Sequence, residues 1–138
     1  QLAAKKKLGN SQMENFVNPE DYRRILGGCD VGLVFLSSLN KTPVVPGKML
    51  EYMAFSRPVF CVANPESDAH EIISQSNCGA SFKTNEETSE MFTRFEYLVN
   101  DPVNLEKCGF NGFEFASNHY DVEKVISKLL KNIHEIKV

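Results

Sequence analysis

The sequence predicts an α/β layered fold: a mostly parallel sheet flanked by helices, ending in a helical C-terminus. Three observations carry that prediction. Two short unbroken apolar runs, Asp30 to Leu36 and Pro58 to Ala63, lack the polar alternation of a half-solvated strand and suit parallel strands covered on both faces. Each run leads into a segment whose apolar residues recur at three- and four-residue steps, the spacing of a helix. Beyond Phe82 the periodicity is helical to the end of the chain.

Taken in order, Leu2 to Leu8 reads as a helix stopped by Gly9-Asn10, and Met13 to Val17 as a short strand. Asn18-Pro19-Glu20-Asp21 has the form of a helix start, with an Asn cap, Pro at the first helical position and acids in the first turn. That helix is expected to turn Tyr22, Ile25 and Leu26 inward and to end at Gly27-Gly28. The run from Asp30 to Leu36 is expected to be the core strand. A polar loop, Ser37 to Pro46, separates it from a helix over Gly47 to Phe55, where Met49, Leu50, Met53 and Ala54 share one face. After the second apolar run, Asn64-Pro65-Glu66-Ser67 opens a helix to about Ser76. Asn77-Cys78-Gly79 then turns the chain into a short edge strand at Ala80 to Phe82. Met91, Phe92, Phe95 and Leu98 form the stripe of a further helix, and Asp101-Pro102 starts another. Val122, Val125, Ile126, Leu129, Leu130, Ile133 and Ile136 make a broad stripe on the last helix, read as core or, if part of it packs on a missing domain, as an exposed patch inviting self-association. Only four strand-like runs appear, against the ~5–6 strands usual for a sheet of this kind, so truncation on the N-terminal side is expected.

Composition narrows the function classes. The 138 residues, expected to form one domain over 1–138, are 42% hydrophobic and 24% charged, which allows a packed core and excludes disorder. With 18 acidic against 15 basic side chains, the chain lacks the basic footprint that a phosphate backbone requires. Lys5-Lys6-Lys7 is too short to supply one, so nucleic acid is not an expected partner. The apolar runs fall far short of the ~20 residues of a membrane span. No secretory signal opens the chain, and Gln1 in place of Met suggests an excised piece. Cys29, Cys61, Cys78 and Cys108 are widely separated, with no metal-ligand spacing, so no metal is expected. Two of them lie in or beside apolar runs as small hydrophobes, and a reducing cytoplasm is the simpler reading, with disulfides left open by the even number.

One segment has the pattern of a ligand site. In open α/β sheets, ligands gather at the carboxyl ends of strands, where the Ser37 to Pro46 loop leaves the first apolar run. On its far side, Gly47 allows close approach of backbone to a ligand. The first free amides of the helix it opens favour an anion such as a diphosphate, and Lys48 adds a point charge. Glu51 stands one turn on from Gly47, on a face apart from Met49 and Met53, where a carboxylate can accept hydrogen bonds from the vicinal hydroxyls of a ribose. Without a full phosphate-loop motif, solvated surface charges remain an alternative reading of Lys48 and Glu51.

Two strings, Cys29-Asp30-Val31-Gly32-Leu33-Val34-Phe35-Leu36 and Gly47-Lys48-Met49-Leu50-Glu51-Tyr52-Met53-Ala54-Phe55-Ser56-Arg57-Pro58-Val59, resemble the C-terminal domain of group 1, or family four, glycosyltransferases. Gly109 to Ser117 is similar to that family's late helix. The resemblance implies a two-domain, Rossmann-like enzyme of the GT-B type, with a nucleotide-diphosphate sugar bound by the C-terminal domain in the interdomain cleft. By position, Glu51 would hold the ribose hydroxyls and the backbone of Gly47, Lys48 and Met49 would cradle the diphosphate. No metal or other cofactor is implied, and no catalytic residue is assigned. Where many members carry a glutamate that touches the donor sugar, this chain has Pro43; some relatives of polysaccharide pathways use a similar Pro-x-Lys-x-x-Glu string. The implied parent is cytoplasmic or peripheral at the inner membrane face. It would transfer sugar to a glycan or lipid-linked acceptor held by an N-terminal domain missing here, so the fragment alone is expected to be inactive.

Two other readings stay open, a nucleotide-sugar 2-epimerase fragment and a non-enzymatic α/β interaction module. His70, His119 and His134 are scattered and read as surface or capping side chains. Asp30 stands at the wrong end of its strand for a phospho-acceptor, and Asn64 to His70 reads as a polar strand-to-helix turn able to line the same cleft.

Overall fold

The computed structural model describes residues 9–40 and 44–136; the expected Leu2 to Leu8 helix and Pro43 lie outside them. The elements run α1 (Pro19–Gly28), β1 (Gly32–Phe35), α2 (Gly47–Ala54), β2 (Val59–Ala63), α3 (Asp68–Ser76), β3 (Gly79–Lys83), α4 (Thr88–Val99), α5 (Pro102–His119) and α6 (Val122–Ile136). The three strands lie in the order β1-β2-β3, all parallel, with Gly32 opposite Val59 and Val59 opposite Gly79. Helices flank this sheet, and the fold is a Rossmann-like α/β layer structure. The expected strand at Met13 to Val17 does not form: this stretch has no regular structure, and Phe16 is fully exposed. A strand exists only by pairing, and among the described residues no strand lies beside it.

Local signals set α1. The Asn18 side-chain oxygen accepts from the amides of Glu20 and Asp21 at 3.0 and 2.9 Å, and Pro19 costs nothing at a position whose amide has no helical partner. Of the residues expected to face inward, Leu26 is buried, Ile25 is exposed and Tyr22 is half-buried.

The centre of the sheet is β2, not β1. Val59, Cys61 and Ala63 point from β2 into one layer, while Phe60 and Val62 point into the other. Met49 and Met53 of α2, Ile72 and Ile73 of α3 and Ala116 of α5 fill the first layer. Phe82, Leu98, Phe95 and Cys108 fill the second, with the Phe60 and Phe95 rings edge to face at 5.1 Å between centroids. By contrast β1 is an edge strand: Gly32 and Val34 are buried, but Leu33 and Phe35 are 45% and 62% exposed. An unbroken apolar run cannot distinguish a strand covered twice from one covered once, because the cover comes from elements distant in sequence.

A glycine face lets α5 lie close to α2 and the turn after it. A Cβ added at Gly109 would stand 2.1 Å from the Ser56 carbonyl oxygen, and one at Gly112 would stand 3.0 Å from Cys78 Cβ and 3.3 Å from Met53 Cγ. The expected α4 stripe is buried at Leu98 and open at Phe92.

The largest departure is α6. Its stripe, read as core from the sequence, is exposed from Val122 at 69% to Ile133 at 43%. Among the described residues α6 packs against the end of α5, where Lys124 Nζ donates to the Ser117 carbonyl at 2.9 Å and to Asn118 Oδ1 at 3.1 Å. Periodicity creates an apolar face but does not bring a partner to it. No described helix is long and apolar enough to cross a membrane.

Urea unfolding separates these environments. Met53→Ala is expected to cost about 2–5 kcal/mol, as a cavity in a closed core does, and Gly109→Ala about 1–3 kcal/mol through overpacking. Leu129→Ala on α6, 57% exposed, is expected to stay within about 0.5 kcal/mol.

Candidate functional site

Helix α2 starts at the carboxyl-end side of the sheet, after the loop that leaves β1. Pro46 precedes it as a cap without a side-chain hydrogen bond. The Pro46 carbonyl accepts from the Met49 amide at 2.9 Å and from Leu50 at 3.4 Å, so the Met49 amide is already engaged. The Gly47 and Lys48 amides have no acceptor among the described residues, and a Cβ at Gly47 would meet nothing within 4 Å. The helix tip therefore offers two open donors at its positive end.

Helical geometry separates the faces of α2. Met49 and Met53 are wholly buried, which turns Gly47, Lys48 and Glu51 outward. Lys48 and Glu51 side chains are 50% and 47% exposed and pair at 3.2 Å between Nζ and Oε2. Of the four residues singled out in the sequence, three thus share the exposed face; Met49, expected to lend its backbone to a diphosphate, is buried with its amide already bonded to Pro46.

A fifth residue completes the cluster. The Tyr22 hydroxyl on α1 donates to Glu51 Oε2 and accepts from Lys48 Nζ, and Lys48 lies 4.4 Å from the Tyr22 ring centroid. The hydrogen bond from Tyr22, reinforced by Lys48, holds the Glu51 carboxyl below the usual carboxylate range. The same hydroxyl, helped by Glu51, holds the Lys48 ammonium above its ordinary value. Tyr22 was expected to face inward as part of an apolar stripe. Its one usable signal is that a tyrosine in such a stripe carries a polar tip that needs a partner; the partner, 29 positions away, is set by tertiary contact.

Beside Glu51 opens a cavity of ≈ 350 Å³ lined by Leu50, Ala54, Phe113, Tyr120 and Asp121 among others. A larger one, ≈ 450 Å³, lies near the amino ends of β1 and β2 around Asp30, Arg57, Pro58 and Phe110. Ligands of parallel sheets gather at the opposite end, so the smaller cavity beside Glu51 belongs to the candidate site.

The Asn64 turn after β2 reaches across to the loop after β1, with Asn64 Nδ2 donating to the Ser38 carbonyl at 2.7 Å. His70 Nε2 contacts the Asn64 carbonyl at 3.0 Å within the same turn, and the Asn64–Ser38 hydrogen bond ties the two loops together. His119 stacks on Phe115 at 4.3 Å between ring centroids. The His134 side chain lies outside the described residues.

All four cysteines are free. Burial pushes each thiol up, Cys61 to about 11, while Arg57 opposes the rise at Cys29. At neutral pH these are protonated thiols rather than nucleophilic thiolates. Among the described residues, no three His, Cys, Asp or Glu side chains converge as metal ligands. Comparisons with family models, curated proteins and solved structures return no match.

Because the Lys48–Glu51 pair is half-exposed, Glu51→Gln is expected to change unfolding free energy by less than about 1 kcal/mol at neutral pH. The Glu51 carboxyl is lowered in the folded state, so its contribution is present above the unfolded carboxylate pKa and lost as pH falls through the folded value. Urea midpoints of the variant and the natural chain should therefore converge in acid.

Proposed function

We propose that this chain is the distal part of the donor-binding domain of a glycosyltransferase that uses a nucleotide-diphosphate sugar. The observation that carries this reading is the exposed face of α2, where two open amides, a lysine and a carboxylate follow one another within one helical turn. In it, the Gly47 and Lys48 amides take diphosphate oxygens, Lys48 adds charge, and Glu51 accepts from the ribose hydroxyls. As the glycosidic bond breaks, negative charge grows on the diphosphate, and a helix N-terminus with an adjacent cation stabilises that charge. The similarity of Cys29 to Leu36 and Gly47 to Val59 to group 1 glycosyltransferases supports the same assignment.

In this reading a glycan or lipid-linked acceptor is held by an N-terminal domain outside this chain. The parent enzyme serves cell-surface polysaccharide assembly from the cytoplasmic side, at or near the membrane, and the 138-residue chain binds donor without transferring sugar.

Isothermal titration of the chain with UDP, GDP and their sugars tests the proposal. Binding of one nucleotide is expected, and Glu51→Ala should weaken it by about 1.5–3 kcal/mol, the range for a hydrogen bond to a charged group. Absence of binding at millimolar nucleotide, or full affinity in Glu51→Ala, would refute it.

A further inference from the structure

We infer that Tyr22 is a positioning residue of this site: its hydroxyl holds the Glu51 carboxylate by one oxygen and leaves the other presented to a diol-bearing ligand. The inference rests on the nucleotide-sugar reading for the identity of that ligand and on geometry for the rest.

Both hydrogen bonds to the carboxylate, from Tyr22 Oη and Lys48 Nζ, fall on Oε2. Among the described residues Oε1 has no partner. A glutamate at 47% exposure would ordinarily sample several rotamers. Here its side chain is tied to α1, a separate helix that starts with a side-chain cap and Pro19 and buries Leu26. Lys48 cannot fix the carboxylate alone, since its own flexible stem is 50% exposed; the ring of Tyr22 under its ammonium and the hydroxyl beside it restrain it too. The three groups close a ring in which Lys48 donates to Tyr22, Tyr22 donates to Glu51, and Lys48 pairs with Glu51 directly. One carboxylate oxygen is left for a ligand hydroxyl without the entropy cost of ordering the side chain on binding.

Other ionisable groups face this carboxylate. Asp121 and Tyr120, at the junction of α5 and α6, line the cavity beside Glu51, and Tyr52 follows it on α2. Burial opposes the charged form of Glu51, so its ionised state leans on Tyr22 and Lys48.

The experiment pairs Tyr22→Phe with Tyr22→Ala and reads two quantities: affinity for UDP and GDP as a function of pH, and the Glu51 side-chain carboxyl shift by NMR titration. Tyr22→Phe keeps the ring beside Lys48 and removes only the hydroxyl. It is expected to move the Glu51 titration to higher pH and to weaken nucleotide binding about three- to tenfold, most strongly in acid. If Tyr22 served only as packing, Tyr22→Phe would match the natural chain in both readouts and Tyr22→Ala alone would suffer, and the inference would fall. An unchanged Glu51 titration in Tyr22→Phe overturns the inference even if nucleotide binds. If the natural chain binds neither nucleotide while the titration still moves, the contact stands, but the nucleotide-sugar reading fails, and with it the presentation of Oε1 to such a ligand.

Discussion

Everything that places the candidate site follows from one close approach, that of α2 to β2 on one side and to the glycine face of α5 on the other. Met49 and Met53 are wholly buried between these elements, and Gly109 and Gly112 leave no side chain to hold the two helices apart. An eight-residue helix is too short to persist alone in water. Packing therefore keeps α2 formed, and methionine suits the irregular gap between a sheet and a helix because its unbranched chain adapts to it.

The same burial orients the chemistry. With period 3.6, burying residues 49 and 53 forces residues 47, 48 and 51 toward solvent, so the apolar half of α2 aims the polar half. The polar half adds little to stability, since a half-exposed ion pair is worth at most about 1 kcal/mol. A cluster that stability scarcely needs, standing at the ligand-binding end of a parallel sheet, is free to be tuned for a ligand. The tie between Asn64 and Ser38 keeps the loops after β1 and β2 together at that end.

Two apolar surfaces show where tertiary context departs from pattern. On β1, Leu33 and Phe35 face outward although their run is as apolar as that of β2. On α6, which packs against the end of α5, the strongest helical stripe in the chain stays exposed from Val122 to Ile133. In both cases hydrophobicity was legible, and the presence of a covering element was not. Met13 to Val17 illustrates the same rule for strands, which need a neighbour before propensity has effect.

What the sequence determined by itself is what short-range physics controls. The capped start of α1, the extent of α2 to within one residue, the start of α5 at Asp101-Pro102, the parallel β-α-β alternation and the shared face of Gly47 and Glu51 all follow from hydrogen-bonding groups and apolar spacing within a few residues. The tertiary structure alone decided which strand is central, which apolar faces are covered, and that Tyr22 meets Lys48 and Glu51. Those outcomes depend on elements far apart in the chain, and a contact across 29 residues leaves no periodic trace. The hydroxyl of Tyr22 reaches Glu51 because α1 and α2 lie side by side in the fold, a relation that neither segment encodes alone.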